Sequence, residues 1–260
     1  MNRTGVFREL HHRDEPLILP NAWDFGSAAM LAADGFPAIG TTSLGVAAAA
    51  GLPDGTGVAR DETLAVATRL ARLTVPVTVD IEGGFSEDPG AVGEFAAELA
   101  EIGIAGVNLE DGRTENTLAE PNHQAELIGA IKARAPELFV NARVDTYWLG
   151  LHHDSTLARV ERYANAGADG IFVPGITAPE GIARVVAATA LPVNMLYAQA
   201  GPSVAALAAL GVRRISTGSL LYRTALAAIV DAARAVRGDG AVAAGVPSYA
   251  DVQAITASKS

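Results

Sequence analysis

Eight short β-like runs recur along the chain, separated by stretches in which apolar residues return at helical spacing. The runs are LILP (17–20), AIGTT (38–42), VTVDI (77–81), AGVNLE (105–110), LFVNAR (138–143), GIFVPG (170–175), PVNML (192–196) and RRISTG (213–218). The helical stretches are 27–34, 61–73, 91–102, 123–135, 154–166, 178–188, 203–210 and 219–236. Asp24 or Ser27, Asp61, Asp154, Ser203 and Ser219 stand where helix caps belong. Gly35, Gly103, Gly167 and Gly211 stand where helices end and the chain turns toward a strand. Strand and helix therefore alternate eight times, which predicts a (β/α)8 barrel of the TIM type. The rival, an open doubly wound sheet, commonly carries a glycine-rich GxGxxG turn after its first strand. Here that strand runs into LPNAWD instead. No low-complexity linker divides the chain, so residues 1–260 are expected to form one domain. The Gly/Ala-rich tail after Arg237 is expected to lie on the outside of the barrel or on a partner.

Composition narrows the chemistry. Half of the 260 residues are hydrophobic and 18% are charged, enough apolar material for a sizeable core. The formal charge is -10, from 19 bases and 29 acids, which argues against a nucleic-acid partner. The one adjacent pair of bases in this region, Arg213–Arg214, is expected on a solvated junction. There is no cysteine, so thiolate nucleophiles and cysteine-ligated metals are excluded. Neither a signal peptide nor an 18-residue apolar run is present, and the expectation is a cytoplasmic protein without a membrane partner. The pairs His11–His12 and His152–His153 lie away from strand ends and are expected on solvated surface.

A barrel places its active site on the loops after the strands. Those positions hold Trp23 and Asp24; Thr41, Thr42 and Ser43; Asp80 and Glu82; Glu110 and Asp111; Asn141, Arg143 and Asp145; and Asn194. Three strands deliver carboxylates to one mouth, and such acids repel one another unless a cation joins them. Oxygen ligands without Cys or His suit Mg2+, or Mn2+ as the alternative. Arg143 suits a bidentate clamp on a substrate carboxylate, although Asp145 could instead hold it in an ion pair.

The ordered series PNAWDFGSAAMLAADGFPAIGTTSLG, VDIEGGF, GVNLED, NARVD and GADGIFV resembles the isocitrate lyase/phosphoenolpyruvate mutase superfamily over about residues 19–221. The resemblance implies a (β/α)8 barrel whose last helix is exchanged between paired subunits, in a homodimer or homotetramer. It implies Mg2+ and a small 2-oxo acid, with a C–C or P–C bond made or broken beside the oxo group. By position it makes Asp80 the direct metal ligand, with Glu82 and Glu110 holding the ion directly or through water. It places Ser43, Leu44 and Gly45 on the substrate's carboxylate and oxo oxygens, Trp23 on the pocket wall, Arg143 on the substrate and Asp54 among the active-site acids. Asn194 is a further substrate-binding candidate from its place at a strand end.

The departures from the family pattern matter as much. The usual DxD is DIE here. The lyases' KKCGH loop is replaced by EDGRTENTLAEPNH, so their cysteine acid is missing. The mutases' Lys-Thr-Asn-Ser loop and histidine are replaced by TENT and Pro174. The branch implied is mutase-like and lacks the lyase cysteine loop. The function expected is a Mg2+-dependent lyase for a small 2-oxo acid, with a dicarboxylate favoured and Arg143 and Asp54 as catalytic candidates. The alternatives are a hydrolase or mutase of phosphonopyruvate type and a non-catalytic 2-oxo acid binder.

Overall fold

The eight runs form the wall of a barrel. In the computed structural model, which describes residues 2–257, they become parallel strands. β1 comes in two pieces, Leu17–Leu19 and Asn21–Ala22; then follow β2 (Ile39–Thr41), β3 (Val77–Asp80) and β4 (Gly106–Glu110). β5 (Phe139–Arg143), β6 (Gly170–Phe172), β7 (Val193–Leu196) and β8 (Arg214–Ser216) complete the set. The first piece of β1 pairs with β8 and the second with β2. One segment therefore opens and closes the ring, which is how the barrel avoids free edges. Pro20 between the pieces has no N–H to give the ladder, but its carbonyl accepts from the Gly40 amide at 2.9 Å. The expected (β/α)8 barrel is the fold observed.

Twelve α-helices accompany the described strands: α1 (Arg3–Leu10), α2 (Phe25–Ala33), α3 (Ser43–Ala49), α4 (Arg60–Leu70), α5 (Pro89–Glu101) and α6 (Pro121–Arg134), then α7 (Thr146–Leu149), α8 (Thr156–Asn165), α9 (Pro179–Ala187), α10 (Val204–Ala209), α11 (Leu220–Arg237) and α12 (Tyr249–Ala257). Asp24 caps α2 in a reciprocal box with Ser27, and Ser203 caps α10 through the Ala206 amide. Asp61 and Asp154 cap nothing. Asp61 lies in the first turn of α4, and Asp154 lies in a short 3-10 turn before α8. Ser219 takes the cap position of α11 without a side-chain hydrogen bond.

Strand alternation splits the barrel into two environments. Ile39, Val79, Val107, Leu109, Val140, Ile171 and Ile215 join the helices' Phe95, Leu99 and Leu127 in the main apolar core. The inward face starts apolar at the foot of the barrel, where Leu17, Leu19 and Phe139 meet Phe7 and Leu10 of α1. Higher up it is polar. Asn141 donates to Asn108 at 2.9 Å, and Arg214 donates to the same Asn108 oxygen at 3.1 Å.

Two expectations about surface residues are corrected here. Arg214 is 1% exposed, buried inside the barrel, because it shares a strand face with Ser216 rather than with its solvated neighbour Arg213. His11 is likewise buried. Its ring stacks on Phe139 at 4.4 Å, its Nδ1 bonds the Phe7 carbonyl at 2.7 Å, and burial pushes its pKa down to about 3. It serves as part of a neutral aromatic plug under the barrel.

The chain after β8 behaves differently from the other helical layers. Only Tyr222 of α11 is buried, while Leu226, Ile229, Val230 and Val236 are 45–67% exposed. α12 returns to lie against α2, with Ile255 reaching the main core. Among the described residues no helix is long and apolar enough to cross a membrane.

Candidate active site

The turn after β3 carries the most constrained backbone near the mouth. Glu82 and Phe85 take φ of +50° and +60°, values that cost a non-glycine residue roughly 1–3 kcal/mol and persist where the surroundings impose them. Gly84 takes φ of +97°, and a Cβ there would also meet the Val92 methyls at 2.8–2.9 Å, so this position calls for glycine. This turn aims two acids differently. Asp80 stays in the barrel, its backbone N–H donating to Thr41 Oγ1 at 2.8 Å and its Oδ1 accepting from the Glu82 amide at 3.1 Å. Glu82 swings toward the loop before α4, where Oε2 accepts from the Gly57 amide at 2.9 Å.

The next two strands supply an arginine between acids. Glu110 and Arg143 are register partners at the ends of β4 and β5. Arg143 Nη1 lies 2.7 Å from Glu110, and its Nε donates to Asp145 at 2.7 Å. Asp80, by contrast, is buried and forms no ion pair among the described residues. Asp111, counted among the strand-end acids, faces away from the mouth. It accepts from the Asp145 amide, Arg159 Nη1 and Tyr163 Oη at 2.7–2.9 Å, tying the loop after β4 to α8.

Burial dominates the electrostatics. It pushes the Asp80 pKa up, against the pull of Arg143 and the Glu82 amide. Burial raises Glu82 to about 7 and Glu110 to about 8, with Arg143 opposing the rise at Glu110 and nearby acids adding to it. Burial also raises Asp145, again against Arg143. At Arg143 burial works to discharge the group, but Asp145, Glu110 and Asp80 override it and hold the guanidinium charged. Arg143 is thus shared among Asp80, Asp145 and the half-buried Glu110, and with Glu82 nearby the acids outnumber Arg143 and Arg214, the two arginines that act on them.

These groups surround a cavity of about 410 Å³ at the open end of the barrel. Ser43, Leu44, Asp54, Asp80, Glu110, Arg143 and Asp145 line it, with Asp54 exposed on the rim. Glu82 borders an adjoining recess with Gly57 and Arg113. Trp23, Gly45 and Asn194 do not line the cavity. Trp23 packs edge-on against Tyr222 at 5.1 Å, and a Cβ on Gly45 would strike the Trp23 side chain at 2.8 Å. Asn194 is 1% exposed at the level of Arg214, below the cavity floor. Arg113 also lines the cavity, a residue that sequence reasoning passed over. Its partners Glu87, Gln124 and the Glu110 carbonyl come from separate segments.

The donor set fits a divalent cation that keeps several waters. Among the described residues no three acids or histidines form a ready-made cage, and Mg2+ commonly takes only one or two carboxylates. A buried Asp80 that forms no ion pair among the described residues, with Glu110 and Glu82 near it, matches that habit.

The family model of phosphoenolpyruvate phosphomutase matches residues 7–237 of the chain. The protein belongs to the phosphoenolpyruvate phosphomutase family. An uncharacterized Mycobacterium tuberculosis relative is 47% identical over 250 residues, covering 95% of each chain. The 2-methylisocitrate lyase of Bacillus subtilis strain 168 is 36% identical over 185 residues, 67% of this chain and 60% of that enzyme. A solved phosphonopyruvate hydrolase, in complex with oxalate and Mg2+, shares the fold at a TM-score of 0.87 and 22% identity, covering 98% and 95% of the two chains. The superfamily that the sequence motifs resemble is therefore the right one, and its members are lyases, mutases and related enzymes. This protein's mouth cavity is lined by Asp54, Asp80, Glu110, Asp145, Arg113 and Arg143, and among the described residues no lysine or histidine joins them.

The raised carboxyls set a pH dependence. In the unfolded chain Glu82 titrates near 4.5, whereas in the fold it titrates near 7. Between those values the folded state holds the extra proton, so stability is fully present below about 4.5 and falls as pH rises toward 7. Metal-free protein is expected to show this decline in melting temperature across the window, with a shallower slope in Glu82→Gln. An equal slope in the variant would contradict the assignment of the strained Glu82 as a protonated carboxyl.

Proposed function

We propose that the protein is a Mg2+-dependent lyase that makes or breaks a C–C bond beside the oxo group of a small 2-oxo acid. The observation that carries this reading is Asp80, a buried carboxylate on the floor of the mouth cavity that makes no ion pair with any described residue. Asp80 would hold the ion directly, and Glu82 and Glu110 would reach it directly or through water. When bound, Mg2+ supplies Lewis-acid polarisation of the oxo and carboxylate oxygens. The complex of a fold relative with oxalate and Mg2+ supports that choice of ion.

The chain's own groups do the rest. Arg143 uses Nε on Asp145 and Nη1 on Glu110, which fixes its plane and leaves Nη2 for a substrate carboxylate. The start of α3, where Ser43 and Leu44 line the cavity and Thr42 provides no side-chain cap, offers backbone N–H groups to the developing negative charge. Gly45 keeps the helix close to Trp23 and so holds that end in place. Asp54, exposed on the rim and free of the arginine cluster, is the candidate for proton transfer. The 2-methylisocitrate lyase relative supports carbon–carbon chemistry, carried out here without its branch's cysteine loop.

The exposed apolar face of α11 supports pairing with a second copy of the chain, in a homodimer or homotetramer. Light scattering at micromolar concentration is expected to give a dimer or a larger even-numbered assembly, and a stable monomer would remove the pairing. For the site itself, calorimetric titration should show Mg2+ binding that Asp80→Ala weakens by about a hundredfold or more, with the fold retained. Turnover of a 2-oxo acid panel with and without Mg2+ then tests the activity. Equal Mg2+ affinities in wild type and variant would sink the metal assignment.

A further inference from the structure

The cavity has two unlike sides. Acids reach it from the loops after β2, β3, β4 and β5, and hydroxyls from β2 and from β8, whose Ser216 pairs in register with Leu196, whereas the apolar wall comes from β5, β6 and β7 as Trp148, Leu149, Phe172, Pro174 and Leu196. Arg143 marks the border, its guanidinium carbon 5.7 Å from the ring centres of both Trp148 and Phe172. Gly218, at φ +53°, leaves the space that the Leu196 side chain fills, since a Cβ there would come within 2.7 Å of its Cδ1.

The cations lining the cavity cannot serve two anionic groups. Arg113 gives Nε to Glu87, Nη1 to the Glu110 and Gly112 carbonyls, and Nη2 to Gln124. Arg143 is already shared between Glu110 and Asp145. Asp54, Asp80, Glu110 and Asp145 therefore face a cavity with little spare positive charge. One carboxylate of a 2-oxo acid has Arg143 and the proposed cation to meet it. A second carboxylate, or a phosphonate, would lie against the apolar wall, where an unpaired charge is costly.

Resting on the reading of this site as a 2-oxo acid pocket, we infer that its substrate is a monocarboxylate. An alkyl or branched-alkyl substituent beyond the oxo carbon packs against Trp148, Phe172 and Leu196. This replaces the dicarboxylate favoured from sequence. The wall lies across the cavity from Asp80, so one ligand spans both sides, oxo-acid head on the acids' side and tail on the apolar side.

The test is calorimetry in saturating Mg2+, with oxalate as a probe of the head group alone and a chain series of pyruvate, 2-oxobutyrate, 2-oxopentanoate and 2-oxoglutarate. Affinity is expected to rise about fourfold per added methylene along the first three acids. 2-Oxoglutarate, which carries a carboxylate at the end of the same five-carbon chain, is expected to bind at least about tenfold more weakly than 2-oxopentanoate. In Trp148→Ala, on the exposed rim, the ratio of 2-oxopentanoate to pyruvate affinity should shrink. Oxalate binding with 2-oxoglutarate equal to or tighter than 2-oxopentanoate would overturn the inference and leave the oxo-acid reading standing. Failure of oxalate to bind would overturn both.

Discussion

At the mouth of the barrel the buried Asp80 and Asp145 and the half-buried Glu110 converge on Arg143. Arg143 bonds two of them at 2.7 Å and leaves Asp80 to its hydrogen bonds alone. Buried charges of one sign raise one another's energy unless a cation joins them, and burial lifts the pKa of each of these acids. The surrounding structure serves to hold this arrangement. Parallel pairing sets Glu110 beside Arg143, the left-handed turn at Glu82 frees the second acid of DIE from the barrel, and Asp111 with Arg159 and Tyr163 fixes the Asp145 backbone. A cluster that is costly without a cation is well suited to bind one.

The same shortage of positive charge shapes what else the cavity accepts. Arg113 spends Nε, Nη1 and Nη2 on Glu87, the Glu110 and Gly112 carbonyls and Gln124, and part of the cavity wall is aromatic and aliphatic. Metal and substrate thus meet at a polar side while the remainder of the ligand meets an apolar one. Below, the barrel interior stays polar through Asn108, Asn141 and Arg214, and α1 seals its foot with Phe7, Leu10 and His11.

Much of the barrel was legible because its strands are buried on both faces and so stand out as β-like runs between helical periods. The mouth acids were legible because barrel strands end where their sequence turns polar. Asp80, Glu110 and Arg143 line the cavity as that logic requires. Asp111 and Arg214 were misjudged although alternation carried the signal. Asp111 follows Glu110 by one residue and so points the other way, and Arg214 is two residues from Ser216 and so points in. His11 was misjudged because no helix was expected before the first strand; Phe7, Leu10 and His11 lie at helical spacing and bury one face. The Arg113–Glu87 and Arg159–Asp111 pairs join residues 26 and 48 positions apart, and nothing local in the sequence announces such contacts. The strained φ of Glu82 is likewise set by tertiary packing.

A divalent cation joining the mouth acids is tested directly by anomalous diffraction from crystals soaked in Mn2+. The result predicted is an anomalous peak bonded to the Asp80 carboxylate, with Glu82 and Glu110 around it. An empty mouth in crystals saturated with Mn2+, or a peak only at a surface histidine, would contradict the account.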